Sequence, residues 1–361
     1  MKKNKTKYSW LLTPILACLM LTQASCSNDI AENTSDPVPG GTYLTIVTRG
    51  ITTTEPGIYE DYVEELRVLA FDKAGNKVIN ELLTDLPNET EPNSYVEVTT
   101  TELPAGTISS GVYTFYFVAN ENDYNTTTSD ETLTQALDAV STEVGLKAIQ
   151  VKTALTSDSQ IKPSATTMLM STEPYTALIR EGEVNTIGEK NHIELIRAFA
   201  KAQLALKLPN TTSSDPSNDD VTVTLSASIP NSFYLIPENT TEITGSISLT
   251  DRAISGGGTL FDAEGVSPDP FYVSETIYLP ERYLANNNIE ENALTYSITI
   301  GENNYSAPIA DGTEDPVNYN IIRNYAYTTI GTYNPLTKVM SEFNLLVVPW
   351  VEKEITVPPF E

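Results

Sequence analysis

The segment 111–119 constrains the fold of this chain more than any other, because it is apolar on both faces of a β-strand. Its residues are mostly aromatic or β-branched, among them Val112, Phe115 and Val118, and such residues favour strands. A strand with apolar residues on both faces needs packing partners on both sides, as in the middle of a sandwich. The segment therefore predicts a mostly β fold built from packed layers.

Further segments of this kind recur along the chain between turn residues, which supports the same fold class. Strands are predicted at 43–48, 65–71, 78–79, 94–100, 221–229, 233–236, 277–279, 294–300 and 319–333. A turn at 72–76 joins two of them into a hairpin. A helix is predicted from Ser129 or Asp130, with Glu131 in an acidic first turn and Leu133, Leu137 and Val140 as its apolar stripe. Residues 192–208 fit either a helix or a strand.

The organisation of the chain follows from its polar stretches. At 361 residues the chain is long enough for two domains with a core each. The stretch 209–220 is polar and contains proline, so two β-rich domains are predicted at 43–208 and 209–350. Residues 26–42 are acidic and carry Pro and Gly, which predicts a flexible tether. Residues 351–361 form a separate C-terminal tail.

The N-terminus has the pattern of an export signal, predicted at 1–25. A basic stretch precedes an apolar run at 10–21 that is too short to span a bilayer. Ser25 precedes Cys26, which resembles a lipoprotein signal with Cys26 as the lipidated residue, and Cys18 is the second candidate. Beyond Cys26 the sequence contains no cysteine, so a disulfide, a thiol nucleophile and a Cys-type metal site are not expected in the folded part.

Charge and composition exclude several classes of function. The formal net charge is -27, and nucleic acid would repel such a chain, so no nucleic-acid partner is expected. His192 is the one histidine, which leaves little for acid–base or metal chemistry. The acidic residues near 215–220 lack the spacing of a calcium loop, and the glycines at 256–258 lack that of a phosphate loop. No catalytic residue, cofactor or metal is therefore predicted, and the protein is not expected to be an enzyme.

The two ends of the body carry similar strands. Leu44 and Ile46 lie on one face of the first strand. In the tail, Val351, Ile355 and Val357 lie on one face and alternate with polar residues. The similar size and branching of the two segments suggest that one could occupy the place of the other in a neighbouring molecule. The alternative is that both are ordinary edge strands of their own domains.

Several stretches together resemble the fimbrillins, the FimA-type (type V) pilins of bacteroidete surfaces. They are the signal with Cys26 and residues 44–49, 63–72, 111–121, 277–281, 322–327 and 348–350. The resemblance implies two transthyretin-like β-sandwich domains and export as an outer-membrane lipoprotein precursor. It also implies that a trypsin-like, Arg-specific protease cuts between Arg49 and Gly50 and thereby removes the first strand at 43–49.

The function that the resemblance implies is that of a structural fimbrial subunit supporting cell adhesion. A donor strand within 341–361 would fill the vacated place in the next subunit, so the expected partners are other copies of this chain and related fimbrial subunits. The expected location is the cell surface, in a fimbrium. The alternative is a surface lipoprotein adhesin, or a tip or anchor subunit, that binds host protein or glycan. Tyr305, Tyr319 and Tyr333 are candidates for a glycan-binding face.

Overall fold

The computed structural model describes residues 42–48, 63–84, 96–103, 108–128, 130–155, 167–187, 193–208, 220–258, 260–261, 272–284, 288–310, 317–341 and 343–349. Of residues 42–48 and 96–103 it describes the backbone. All of these residues belong to one compact unit, Pro37–Glu361. In these ranges, no helix has the length and hydropathy needed to cross a membrane.

The fold consists mainly of β-strands, which confirms the predicted class. The strands are β1 (Thr42–Thr48), β2 (Leu66–Phe71), β3 (Lys77–Leu83), β4 (Val96–Leu103), β5 (Gly111–Ala119), β6 (Gln150–Lys152), β7 (Met170–Ser171), β8 (Tyr175–Ile179), β9 (Val184–Ile187), β10 (Ile196–Arg197), β11 (Phe199–Lys207), β12 (Val221–Pro230), β13 (Ser232–Tyr234), β14 (Ser246–Ile254), β15 (Tyr272–Val273), β16 (Ile277–Pro280), β17 (Thr295–Ile300), β18 (Asn303–Pro308), β19 (Tyr325–Asn334), β20 (Val339–Met340) and β21 (Asn344–Pro349). The helices are α1 (Leu133–Ala139) and α2 (Glu143–Lys147), and Glu290–Asn292 is a 3-10 turn.

The strands form several sheets. A three-stranded sheet has the order β4-β1-β9, and a central sheet has the order β10-β7-β5-β2-β3, with β8 also paired to β5. In the later part of the chain, one sheet has the order β15-β11-β19-β20, with β16 on β11 and β21 on β19. A second has the order β14-β12-β17-β18. β6 and β13 pair with each other, so this short ladder joins the earlier part of the chain to the later part.

The central strand β5 separates two hydrophobic cores, as its apolar character on both faces requires. Phe115 and Phe117 face a core that we call the slot core, while Tyr116 and Val118 face a larger one that we call the main core. The slot core comprises Val63, Leu66, Val68, Ala70, Ile79, Ile108, Tyr113, Phe115, Phe117, Ala119, Met170, Ile179, Ile187, Ile193 and Leu195. The main core extends from the other face of the central sheet into both later sheets.

Helix α1 exists as predicted but begins later than Ser129 or Asp130. Thr132 is its N-cap: the Thr132 hydroxyl accepts a hydrogen bond from the Gln135 amide at 3.2 Å, and the Gln135 side chain accepts one from the Thr132 amide at 3.0 Å. This reciprocal capping satisfies two backbone donors at the start of the helix. Glu131 therefore lies before the helix, where its carboxylate accepts a hydrogen bond from the Thr126 hydroxyl at 2.7 Å.

The ambiguous segment from residue 192 forms strands where the structure describes it. β10 pairs with β7 of the central sheet, and β11 pairs with β15, β16 and β19. Ala198 alone separates β10 from β11, so the chain passes almost directly from one sheet to another. By its hydrogen bonds β11 belongs with strands that follow residue 209. The division into domains at 43–208 and 209–350 stays a prediction.

Candidate functional site

The first strand, β1, lies in the middle of its sheet with backbone partners on both sides. It pairs antiparallel with β4 over six pairs of residues and parallel with β9 over four. Leu44 lies opposite Thr101 of β4 and Asn185 of β9, and the register with β4 shifts between Leu44 and Ile46. We call the place that β1 fills between β4 and β9 the slot.

The slot core lies against the sheet that contains β1. Ile187 of β9 is fully buried in this core, together with Phe115 and Phe117 of β5. The rings of Phe115 and Phe117 stack with centroids 6.4 Å apart, and Phe117 meets Tyr175 of β8 edge-on at 6.2 Å. The sheet that contains β1 therefore adjoins, through β9, a core with buried aromatic rings, whose apolar area favours strands with apolar side chains.

One wall of the slot, β9, is positioned by a tight turn that follows β8. The Arg180 amide donates to the side-chain oxygen of Asn185 at 2.8 Å, and the Asn185 side chain donates to the carbonyls of Arg180 and Glu183 at 3.0 Å each. Gly182 has a φ of +75°, a conformation that glycine adopts without strain. The turn links the two sheets, because β8 pairs with β5 while β9 pairs with β1.

A buried ion pair holds β2 to the end of β5 on the face opposite the slot core. Arg67 donates to both carboxylate oxygens of Glu121, with Nε–Oε2 2.8 Å and Nη2–Oε1 2.6 Å. It also contacts Asn80 at 2.7 Å and Asp138 at 2.9 Å. Burial alone would lower the pKa of Arg67, but the hydrogen bonds and charge of Glu121 outweigh it and raise that pKa. The guanidinium therefore stays charged.

The carboxylate of Glu65, just before β2, lies in the same region and has a different environment. Burial raises its pKa, hydrogen bonding from the Asn122 amide at 3.0 Å opposes the rise, and the nearby charge of Glu121 adds to it. The Asn122 side chain also donates to Glu65. Glu65 and Glu121 thus form a pair of like charges in a buried position.

The last described strand, β21, ends beside a second buried ion pair. β21 is an edge strand of its sheet, and its Pro349 lies opposite Tyr325, the first residue of β19. Arg323, just before β19, binds Glu281 at 2.8 Å and donates to the Leu235 carbonyl at 3.0 Å. The ion pair holds the start of β19 to the residue after β16, and the hydrogen bond to Leu235 holds it to the residue after β13.

Most sequence-predicted site residues lie outside the described residues. This holds for Cys18, Cys26, Arg49, Gly50, Val351, Ile355, Val357 and His192. Leu44 and Ile46 lie on β1, where their backbone pairing is described. Within the described ranges, no group of three or more His, Cys, Asp or Glu residues could hold a metal ion.

Two of the tyrosines considered for a glycan-binding face pack against each other. The rings of Tyr305 and Tyr333 meet edge-on at 6.0 Å, and Tyr333 is 4% exposed. The Tyr305 hydroxyl donates to the Lys338 carbonyl at 2.8 Å. These contacts explain both residues through packing of the later sheets.

The sequence pattern does not predict β9, one of the two walls of the slot. Its four residues follow the Arg180–Glu183 turn, and Val184 and Ile187 are β-branched, but a segment this short gives little periodic signal. Nor does the pattern predict the pairing of Arg67 with Glu121. Charged residues inside strand-like segments are the signal that could have indicated a buried pair.

Solved structures with a similar fold come from fimbrial and cell-adhesion proteins. The tip fimbrial protein Mfa3 of Porphyromonas gingivalis aligns with a TM-score of 0.54 and 17% identity, over 86% of this chain and 100% of that chain. Two candidate cell adhesion proteins of Parabacteroides distasonis align with TM-scores of 0.51 and 0.50 and identities of 14% and 16%. They cover 87% of this chain and 100% and 98% of their own. No curated protein matches the chain by sequence.

These likenesses show the fold alone, and they place the chain among β-rich proteins. The family model of the major fimbrial subunit protein (FimA) matches residues 42–226, just over half of the chain. The chain therefore belongs to the FimA family. This confirms the resemblance drawn from the sequence, and it places the chain in a family of structural subunits of a cell-surface fimbrium rather than of enzymes.

Proposed function

We propose that this chain is a structural fimbrial subunit that polymerises by exchange of its first strand. Cleavage after Arg49 releases β1, and residues 351–361 of a neighbouring subunit take its place. The observation that carries the proposal is the position of β1 between β4 and β9, with backbone pairing on both sides. A strand that replaces β1 gains two ladders of hydrogen bonds at once.

The slot core supplies the apolar part of the binding free energy. A donor segment that buries about four apolar side chains gains roughly 1.5–3 kcal/mol for each, before the cost of ordering the tail is subtracted. The alternation of Val351, Ile355 and Val357 with polar residues suits a slot with one face on a core and one towards solvent.

The trigger of the proposed exchange is the bond after Arg49. β1 ends at Thr48, so a cut at this bond separates the whole strand from the body. Before the cut, β1 rebinds at a high local concentration because it belongs to the same chain. After the cut it becomes a free peptide that a donor strand can displace. Lipidation at Cys26 would hold the precursor at the outer membrane, and the same cut would free the body from the lipid.

Electron microscopy of the purified chain before and after cleavage by an Arg-specific protease tests the proposal. We expect filaments only after cleavage, with subunits whose N-terminus is Gly50. Filaments whose subunits still contain residues 43–48 would contradict strand exchange. Cleaved protein that binds host cells without forming filaments would support the adhesin alternative instead.

A further inference from the structure

Both walls of the slot depend on β1 for their backbone pairing. In the described sheet, β4 and β9 each pair with β1. No other described strand pairs with β4 or with β9. β1 is therefore the element that joins the two walls into a sheet. Its removal would leave both walls with unpaired backbone donors and acceptors that face each other across the gap.

The directions of the strands allow the walls to pair with each other. β4 runs antiparallel to β1, and β9 runs parallel to it, so β4 and β9 are antiparallel to one another. Glu102 of β4 and Val184 of β9 both lie opposite Tyr43, so they already share a row of the sheet. Residues in one row lie on the same face, so joining the walls requires no strand to turn over.

We propose that the empty slot closes, with β4 and β9 moving together by about one strand spacing, roughly 4.8 Å, to form an antiparallel ladder. This inference rests on the proposed release of β1. Two physical costs drive the closure. Unpaired backbone groups beside an apolar core cost free energy. An open slot would also expose the surface made by Phe115, Phe117 and Ile187 to water.

The consequence for assembly is that a donor strand enters by displacing β1, pair by pair, while β4 and β9 are still held apart. A subunit that loses β1 without a donor at hand becomes a closed monomer, which accepts a strand more slowly. Closure of the slot thus limits strand uptake to the moment of exchange. It also protects the apolar surface from unspecific strand pairing.

Engineered cysteines can measure the distance between the walls. We use the full chain with Glu102→Cys and Val184→Cys, together with Ile355→Asp to block donation. In the uncut chain the two positions are two strand spacings apart, about 9.6 Å, which exceeds the roughly 7 Å limit for a disulfide. After cleavage at Arg49, release of β1 in mild denaturant and dialysis, mild oxidation is expected to link them. Mass spectrometry of the linked peptides reads the result.

The control pair is Val112→Cys with Leu178→Cys, which lie opposite each other on β5 and β8 with 53% and 55% of their side chains exposed. It is expected to link in the cut and the uncut protein alike. A synthetic peptide of residues 42–49, added before oxidation, is expected to suppress the link between positions 102 and 184 only.

Two outcomes overturn the closure. One is free thiols at 102 and 184 in β1-free protein that still binds the peptide, because the slot then stays open. The other is loss of the control link as well, because the subunit then unfolds instead of closing. Filaments play no part in this readout. A chain with wild-type Ile355 that is cut at Arg49 without prior release of β1 by denaturant, and then forms no filaments, would overturn strand donation and leave the closure standing.

Discussion

Arg67 and Glu121 form a two-pronged ion pair between β2 and the residues after β5, with both side chains 2% exposed or less. Their distances of 2.8 and 2.6 Å are those of charge-assisted hydrogen bonds. The pair holds together the two central strands whose other faces form the slot core. The strands that line the slot core are therefore held by a polar contact on the opposite face of the sheet.

Arg67→Ala is expected to lower the free energy of unfolding by about 3–5 kcal/mol, because it leaves the Glu121 carboxylate buried without its partner. Urea denaturation followed by circular dichroism measures the loss. Arg180→Ala is the matched control: its partner Glu183 is 3.8 Å away, and both side chains are more than half exposed. The control is expected to change the free energy by less than about 1 kcal/mol. Equal losses in both variants would contradict the role of the buried pair.

Glu65→Gln is expected to change how stability depends on pH. The folded-state pKa of Glu65 is raised, chiefly by burial, so the folded protein holds this proton more tightly than the unfolded chain. The free energy of unfolding therefore falls as pH rises from the ordinary Glu pKa through the raised one. The variant lacks this fall, so its stability relative to wild type increases across that window. Urea denaturation between about pH 4 and 8 checks the difference, and parallel curves would contradict it.

Asp72→Asn is expected to change the pH dependence of stability in the direction opposite to Glu65→Gln. Hydrogen bonds from Asn76 and Ala74 lower the pKa of Asp72 in the folded state. The contribution of Asp72 to the free energy of unfolding is therefore present above the ordinary Asp pKa and is lost as pH falls through the lowered one. Removing this carboxylate is expected to reduce stability at neutral pH relative to stability in acid. A stability difference that shrank towards neutral pH would contradict this sign.

Ile355→Asp is expected to abolish filament formation while leaving a folded monomer. A carboxylate without a partner in the slot core costs several kcal/mol, and the monomer does not depend on its own tail in the proposed mechanism. Glu354→Ala, on the opposite face of the tail, is the matched control and is expected to form filaments normally. Electron microscopy and sedimentation measure both. Deletion of 351–361 is expected to behave like Ile355→Asp, and filaments from the deletion variant would refute donation by the tail.

Arg49→Ala is expected to give a folded precursor that an Arg-specific protease does not cut after β1, so it remains monomeric and attached to the membrane. Its N-terminus is expected at the lipidated Cys26, and mass spectrometry of the purified protein determines both the lipid and the terminus. Arg180→Ala again serves as a control, since that arginine lies in the turn between β8 and β9, far along the chain. Cellular filaments with subunits that start well away from Gly50 would show that another bond is the trigger.

Both end residues of β5 were predicted correctly from the sequence. The apolar side chains of this segment identify a central strand without knowledge of its neighbours. The turn at 72–76 was equally local: Asp72 accepts hydrogen bonds from the Ala74 and Asn76 amides, and Gly75 has a φ of +80°. Both features depend on residues close in sequence, which is why the sequence alone predicts them.

Other elements depended on partners far along the chain. Ile193, Leu195 and Phe199 fit a helical spacing, yet β11 forms a strand because it pairs with β16 and β19. β9 has four residues and is a strand because β1 lies beside it. The start of α1 shifted because Thr132, rather than Asp130, caps it. In the candidate site, β1 and the wall β4 were predicted as strands, at 43–48 and 94–100. The wall β9 and the pairing of both walls with β1 were not, since that pairing is long-range.

The short step from β10 through Ala198 to β11 has a mechanical consequence. A pull on the central sheet would reach the sheet that contains β11 along this nearly continuous stretch of backbone. The ladder of β6 with β13 and the bond from the Ser171 hydroxyl to the Leu235 carbonyl, at 2.6 Å, lie in parallel with that path. Separating the two sheets would therefore require these hydrogen bonds to break as well.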